Sequence, residues 1–87
     1  MARKRRGMLD DWYIGYIRYD DGEIEYVSNF DIYKRNPDRQ YASKYISKGA
    51  AMASARRLMN YLISGGLVVS GSGTYRVNGK TNRIDDI

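Results

Sequence analysis

From Trp12 to Val27, WYIGYIRYDDGEIEYV sets two runs rich in aromatic and β-branched residues on either side of Asp20-Asp21-Gly22, with apolar and polar residues alternating nearest the turn, over residues 17–19 and 23–26. Alternation with period two marks half-buried strands, and Asp21-Gly22 marks a hairpin because a type I′ turn needs positive φ at both central positions. Centred there, the turn pairs Tyr19 with Ile24, Arg18 with Glu25, Ile17 with Tyr26 and Tyr16 with Val27. Opposed residues share a face. One face then carries Tyr13, Gly15, Ile17, Tyr19, Ile24 and Tyr26, and the other Trp12, Ile14, Tyr16, Arg18, Glu25 and Val27. The first face is nearly continuous apolar surface and is expected to meet a helix, with Gly15 admitting a close neighbour. The second is mixed, with Arg18 opposite Glu25 as a surface ion pair.

Residues 29–40 read as a basic connection broken at Asn36-Pro37-Asp38, in which Phe30, Ile32 and Tyr33 extend the second strand or cap the core. The period then changes. Over residues 48–63, with a start as early as Ala42 also compatible, Ala51, Met52, Ala55, Leu58, Met59 and Leu62 form one apolar helical stripe. Ser54, Arg57, Asn60, Tyr61 and Ser64 fall on the far side. Ser47 suits an N-cap and Gly65-Gly66 a C-terminal stop. Leu67-Val68-Val69 predicts a short buried strand, Ser70-Gly71-Ser72-Gly73 a flexible turn, and Thr74-Tyr75-Arg76-Val77 another strand. Asn78-Gly79 is a second type I′ signal, returning through Lys80 to Ile84 as an edge strand. The predicted fold is α+β: a small antiparallel β-sheet packed by one main α-helix, in the order β-β-α-β-β.

The 87 residues suffice for one domain, residues 9–87, preceded by a flexible basic arm over residues 1–8. The chain has no Cys and no His, which removes disulfides, thiolate chemistry, the commonest general base and the commonest metal ligand. Asp20, Asp21 and Glu23 cluster at the hairpin tip, but a tight turn points them apart, whereas a metal loop needs convergent oxygens. Gly79-Lys80-Thr81 matches the end of a phosphate loop, yet Thr74 stands where its first glycine is required and no helix follows. Gly71-Ser72-Gly73 lacks the third glycine of a dinucleotide loop, since Arg76 takes that place. The expectation is a protein that is not an enzyme and needs no cofactor or metal. Apolar runs are too short to span a membrane, and Asp10-Asp11 follow the basic start where a signal peptide needs an apolar run. A cytoplasmic location is expected.

Net charge is +5, which favours a polyanionic partner. Arg3, Lys4, Arg5 and Arg6 form a candidate phosphate-contacting arm whose binding would depend on salt. The 9 Tyr and 1 Trp exceed what one buried face needs. Trp12, Tyr16 and Arg18 form a row that is either a second packed face, a stacking platform for bases, or an anchor for a protein. A second candidate surface gathers Arg35, Arg39, Lys44, Lys48, Arg56, Arg57 and Tyr61 on and before the helix, with an ordinary solvated helix face as the bland alternative.

Residues 16–62 resemble the small accessory proteins encoded by phages of Gram-positive hosts: a tyrosine-rich hairpin, a loop, then Ala42-Ser43-Lys44-Tyr45-Ile46-Ser47-Lys48-Gly49-Ala50-Ala51 and Ala55-Arg56-Arg57-Leu58. Some such proteins are anti-CRISPR proteins that block a Cas nuclease. That group is defined by activity and carries no common fold or site residues. The resemblance implies an inhibitor of a host nucleoprotein such as a CRISPR effector. Because this chain is basic, it would grip guide RNA, bound DNA or an acidic protein patch. The other expectation is a small basic DNA- or RNA-binding module without an inhibitory role.

Overall fold

The computed structural model describes residues 10–28 and 35–86. The basic arm and the residues Phe30, Ile32 and Tyr33 lie outside them. Four antiparallel strands of three residues or more, β1 (Trp12–Tyr19), β2 (Ile24–Val27), β4 (Val69–Val77) and β5 (Ile84–Asp86), are joined at one edge by the two-residue β3 (Arg35–Asn36). The sheet order is β3-β2-β1-β4-β5. A 3₁₀ turn, Arg39–Tyr41, and one helix, α1 (Lys48–Ser64), lie between β3 and β4. The α+β class holds. The order β-β-α-β-β is corrected by β3 and the 3₁₀ turn, which the basic, polar loop sequence concealed.

The hairpin turns with three residues rather than two. Tyr16 pairs with Tyr26, Ile17 with Glu25 and Arg18 with Ile24. The Tyr19 amide donates to the Glu23 carbonyl at 2.9 Å, so the loop is Asp20-Asp21-Gly22, closed by Gly22 at φ 88°. A three-residue loop places its glycine last, in the left-handed region, and an Asp-Gly pair serves that turn as well as a two-residue one. The Asp21 carboxylate accepts the Glu23 amide at 2.9 Å and holds the loop.

This one-residue slip exchanges the faces of β2. Ile24 and Tyr26 turn away from α1, and Val27 turns toward it. Fully buried Val27 packs with Ile17, Ala55, Leu58 and Leu62, the main core. The expected pairs Tyr19–Ile24, Arg18–Glu25, Ile17–Tyr26 and Tyr16–Val27 are therefore replaced, and no Arg18–Glu25 ion pair forms. Glu25 instead accepts the Tyr19 hydroxyl and, at 3.0 Å, Arg35 Nε. Val27 at the centre of the core favours this register, while Glu25 keeps its charge paired at the rim.

Burial first, and then the hydrogen bond to Glu25, push Tyr19 ionisation above its ordinary value of 10.0. The unfolded chain would lose that proton earlier, so the stabilisation is complete below about pH 10 and lost as pH rises through the folded value. Unfolding free energies measured by urea titration should fall above pH 10, and fall less in Tyr19→Phe. An identical slope in both proteins would refute the assignment.

The helix has the predicted caps. Ser47 Oγ accepts the Ala50 amide at 3.2 Å. At the other end, Leu67 N–H donates to the Leu62 carbonyl and Gly66 N–H to the Ile63 carbonyl, both at 3.0 Å, with Gly66 at φ 92°. That is a Schellman stop. Residues 42–45 are extended instead of helical. Ser43 donates to the Val27 carbonyl at 2.9 Å, and Tyr45 exchanges two amide bonds with Tyr13, so this segment extends the sheet past the end of β2. The stripe holds at Ala51, Ala55, Leu58 and Leu62, but Ser54 is buried too. It lies three residues from Ala51 and four from Leu58, on the same face. Gly15 lies directly beneath α1: a Cβ there would stand 2.8 Å from the Ala51 carbonyl oxygen.

Strand β4 runs straight through Ser70-Gly71-Ser72-Gly73, the predicted flexible turn. Gly73 lies opposite Tyr16, whose ring tip covers it within 2.5–2.9 Å of the place a Cβ would occupy. The tyrosine supplies the covering side chain that the glycine lacks. The register shifts by one residue between Arg18 and Tyr19, and Ser70 Oγ donates to the Arg18 carbonyl at 3.0 Å there. Leu67 and Val68, expected as buried strand, are exposed residues before β4. The second turn is also longer than predicted. Asn78 N–H donates to the Arg83 carbonyl at 2.8 Å, Asn78 Oδ1 accepts the Lys80 and Thr81 amides, and Asn82 sits at φ 57°. The return strand is thus Ile84–Asp86 rather than residues 80–84.

Candidate functional site

The sheet face opposite α1 carries a second, smaller core of Ile14, Ala42 and Val77, flanked by Trp12, Tyr26 and Tyr75. Residues 14, 16 and 18 of β1 point here, together with 24 and 26 of β2 and 73, 75 and 77 of β4, by strand register. Tyr16 leans across Gly73 and stacks on Tyr75, with ring centroids 4.5 Å apart and planes 20° apart. Tyr75 meets Tyr26 at 6.5 Å and 53°, a tilted pair. Such pairs contribute about 0.5–1.5 kcal/mol beyond their buried area. Exposed Arg18 places its guanidinium 5.5 Å from the Tyr16 ring centre, within cation–π range.

The row Arg18–Tyr16–Tyr75–Tyr26 therefore combines two expectations. It is a second packed face, since its rings support one another and cover glycine. It also presents ring edges, hydroxyls and a guanidinium on the side away from α1, where no α-helix lies among the described residues. Burial, then Tyr75, raise the ionisation of Tyr26, and the positive charge of Arg39 opposes them, so the phenol stays protonated at neutral pH. Trp12 closes the face at the other end, half-buried opposite Val77.

Beyond Tyr26 the 3₁₀ turn approaches the β4–β5 loop. Asp38 caps that turn by accepting the Gln40 amide at 3.1 Å and its Nε2 at 2.9 Å. Arg39 donates to the Asn82 carbonyl at 3.2 Å and ties the turn to the loop. Between them opens a hollow of about 370 Å³, with Arg39 and Lys44 at its sides.

The remaining candidate residues lie elsewhere. Arg35 is on the helix side, held by Tyr19 and Glu25. Lys48 stands exposed in the first turn of α1, and Arg56, Arg57 and Tyr61 are exposed on its outer side. The predicted set thus divides: Trp12, Tyr16, Arg18, Arg39 and Lys44 share the helix-free face, and Arg35, Lys48, Arg56, Arg57 and Tyr61 do not join them. Sequence reading missed Tyr75 and Tyr26 as members of the row. Tyr75 fell inside the strand predicted over residues 74–77, but reading Ser70–Gly73 as a turn detached it from Tyr16.

Charge is also unevenly shared. The described residues carry ten basic and nine acidic side chains, a balance of +1. The other +4 of the total lies outside them, with Arg3, Lys4, Arg5 and Arg6 its main source. Among the described residues there is no group of His, Cys, Asp or Glu able to hold a metal ion, and no helix long and apolar enough to cross a membrane. Comparison with protein-family models, curated proteins and solved structures finds no match.

Proposed function

We propose that this chain is a non-catalytic binding protein that docks on a host nucleoprotein and grips its exposed nucleic acid through the helix-free face. The observation that carries this reading is the Arg18–Tyr16–Tyr75–Tyr26 row on the sheet face opposite α1. Aromatic contacts to bases contribute about 1–3 kcal/mol each, and Tyr and Arg are also the usual anchors of protein interfaces. The near-neutral balance of the described residues supports a composite partner, because the face itself would add little charge attraction and rely on aromatic and protein contacts. Arg3, Lys4, Arg5 and Arg6 would add sequence-independent attraction to phosphate. Inhibition of a CRISPR effector is the form of this function that the phage-protein resemblance implies. A small basic DNA- or RNA-binding module is the alternative, and the same positive arm favours it.

Fluorescence anisotropy with labelled single-stranded RNA, duplex DNA and a guide-loaded effector separates the two. The effector should bind at least tenfold more tightly than free nucleic acid. Arg18→Ala should weaken that binding about tenfold, or about 1.4 kcal/mol, without lowering the thermal midpoint, since Arg18 is exposed. Deleting residues 1–6 should flatten the salt dependence. Equal affinity for free nucleic acid would favour the module, and an unchanged affinity in Arg18→Ala would remove the row from the interface.

A further inference from the structure

We propose that the hollow between the 3₁₀ turn and the β4–β5 loop is a nucleotide site. It would take one unstacked nucleoside monophosphate unit of the strand that crosses the tyrosine row. The inference rests on the proposed function and deepens it.

Size comes first. The hollow of about 370 Å³ falls within the range of small-ligand sites, about 300–1,000 Å³. At its base lie Ile14, Ala42 and Val77, the same buried residues that support Tyr26 and Tyr75, while the rest of its lining is polar. A nucleobase placed there would sit against the residues that carry the aromatic row, while no ring lines the hollow itself.

Polar groups stand where the rest of a nucleotide needs them. Arg39 and Lys44 line the hollow with positive charge suited to a phosphate. Arg39 is fixed by its bond to the Asn82 carbonyl, whereas exposed Lys44 is placed as an adjustable cation. The Gln40 side chain also lines the hollow. Its Nε2 is committed to Asp38, which leaves the amide oxygen to accept from a base amino group. Asp38 is the one acidic side chain lining it among the described residues, and its two oxygens are engaged by Gln40. Its repulsion of an anion would direct the phosphate toward Lys44.

The same arrangement suits a nucleotide better than a bare anion, because one phosphate would leave most of the hollow of about 370 Å³ empty and would leave the Gln40 amide oxygen without a donor. It suits a nucleotide better than an apolar ligand, because covering Lys44 and the free part of the Arg39 guanidinium with an apolar group would strip their water without replacing it.

Titration of the full chain with adenosine 5′-monophosphate, followed by amide NMR shifts, tests the assignment. Saturable shifts at Ile14, Ala42 and Val77 are expected, with affinity reduced at least fivefold in Lys44→Ala. Inorganic phosphate should bind at least fivefold more weakly than the nucleotide. Equal shifts and affinity with phosphate would overturn the proposal, leaving an anion site without a base. Absence of shifts there would overturn it too. If the nucleoprotein still binds through Arg18 while the nucleotide leaves the hollow silent, the hollow fails and the face survives. If the nucleotide fills the hollow while Arg18→Ala leaves nucleoprotein binding intact, the wider reading fails and the hollow stands.

Discussion

Gly15→Val is expected to lower the unfolding free energy by about 3 kcal/mol or more, the upper end of what overpacking costs. The reason is what the new Cβ would meet. Its nearest neighbour is a backbone atom, the Ala51 carbonyl oxygen at 2.8 Å, followed by Ala55 Cβ at 3.1 Å and Val27 Cγ2 at 3.3 Å. A side chain can rotate aside, but a helical carbonyl moves only if α1 moves. Shifting α1 away from β1 would open the core at Ala55, Leu58 and Leu62, all nearly inaccessible to solvent. Valine's preference for strands spans at most about 1 kcal/mol and cannot offset this. Gly49 provides the contrast. It lies in the first turn of α1 with nothing within 4 Å of its missing Cβ, so Gly49→Ala should stabilise by about 0.4–1 kcal/mol. Urea denaturation of both variants is the measurement. A Gly15→Val protein within 1 kcal/mol of the parent would mean that α1 does not rest on β1 at this point.

Leu62→Ala should cost about 2–5 kcal/mol, and Ile63→Ala less than about 0.5 kcal/mol. Leu62 is 2% exposed inside the main core, while its neighbour Ile63 is 50% exposed. Truncating the first leaves a cavity walled by Ile17, Val27 and Leu58, and rigid packing closes such a space only in part. Truncating the second removes a side chain already half in water. Chemical denaturation of the pair reads the orientation of the helix directly. Similar losses at the two positions would place the apolar stripe on the wrong side.

The helix was legible in the sequence because its signals are local and agree with one another. Ser47, the 3.6-residue stripe and Gly65-Gly66 each act within one or two turns. The hairpin was legible as a hairpin but not in its register. Asp21-Gly22 suits both a two-residue and a three-residue loop, and what decides between them is the burial of Val27 under α1, a contact between distant residues. The path of β4 was hidden for a similar reason. Ser70-Gly71-Ser72-Gly73 has no strand propensity of its own, and it becomes strand because Tyr16, far away in sequence, covers Gly73. The candidate site inherited both errors. Trp12, Tyr16 and Arg18 were placed together correctly, since alternation within β1 puts them on one face whatever β2 and β4 do. Tyr26 and Tyr75 depend on register and were missed.

The central position of β1 bears on when this chain can fold. Its partners in β4 lie 50 to 65 residues further along, from Tyr19 with Val69 to Trp12 with Val77. The hairpin and α1 depend on nearby residues and can begin to form early. The sheet and the smaller core, which needs Val77, cannot close until β4 is available, and closing so long a loop slows the step. Until then β1 is an edge strand, with unpaired amides and its tyrosines in water. A chain still being synthesised thus presents its most adhesive segment first and covers it last, so the interval before β4 arrives is when chaperones and proteases have the best access to it.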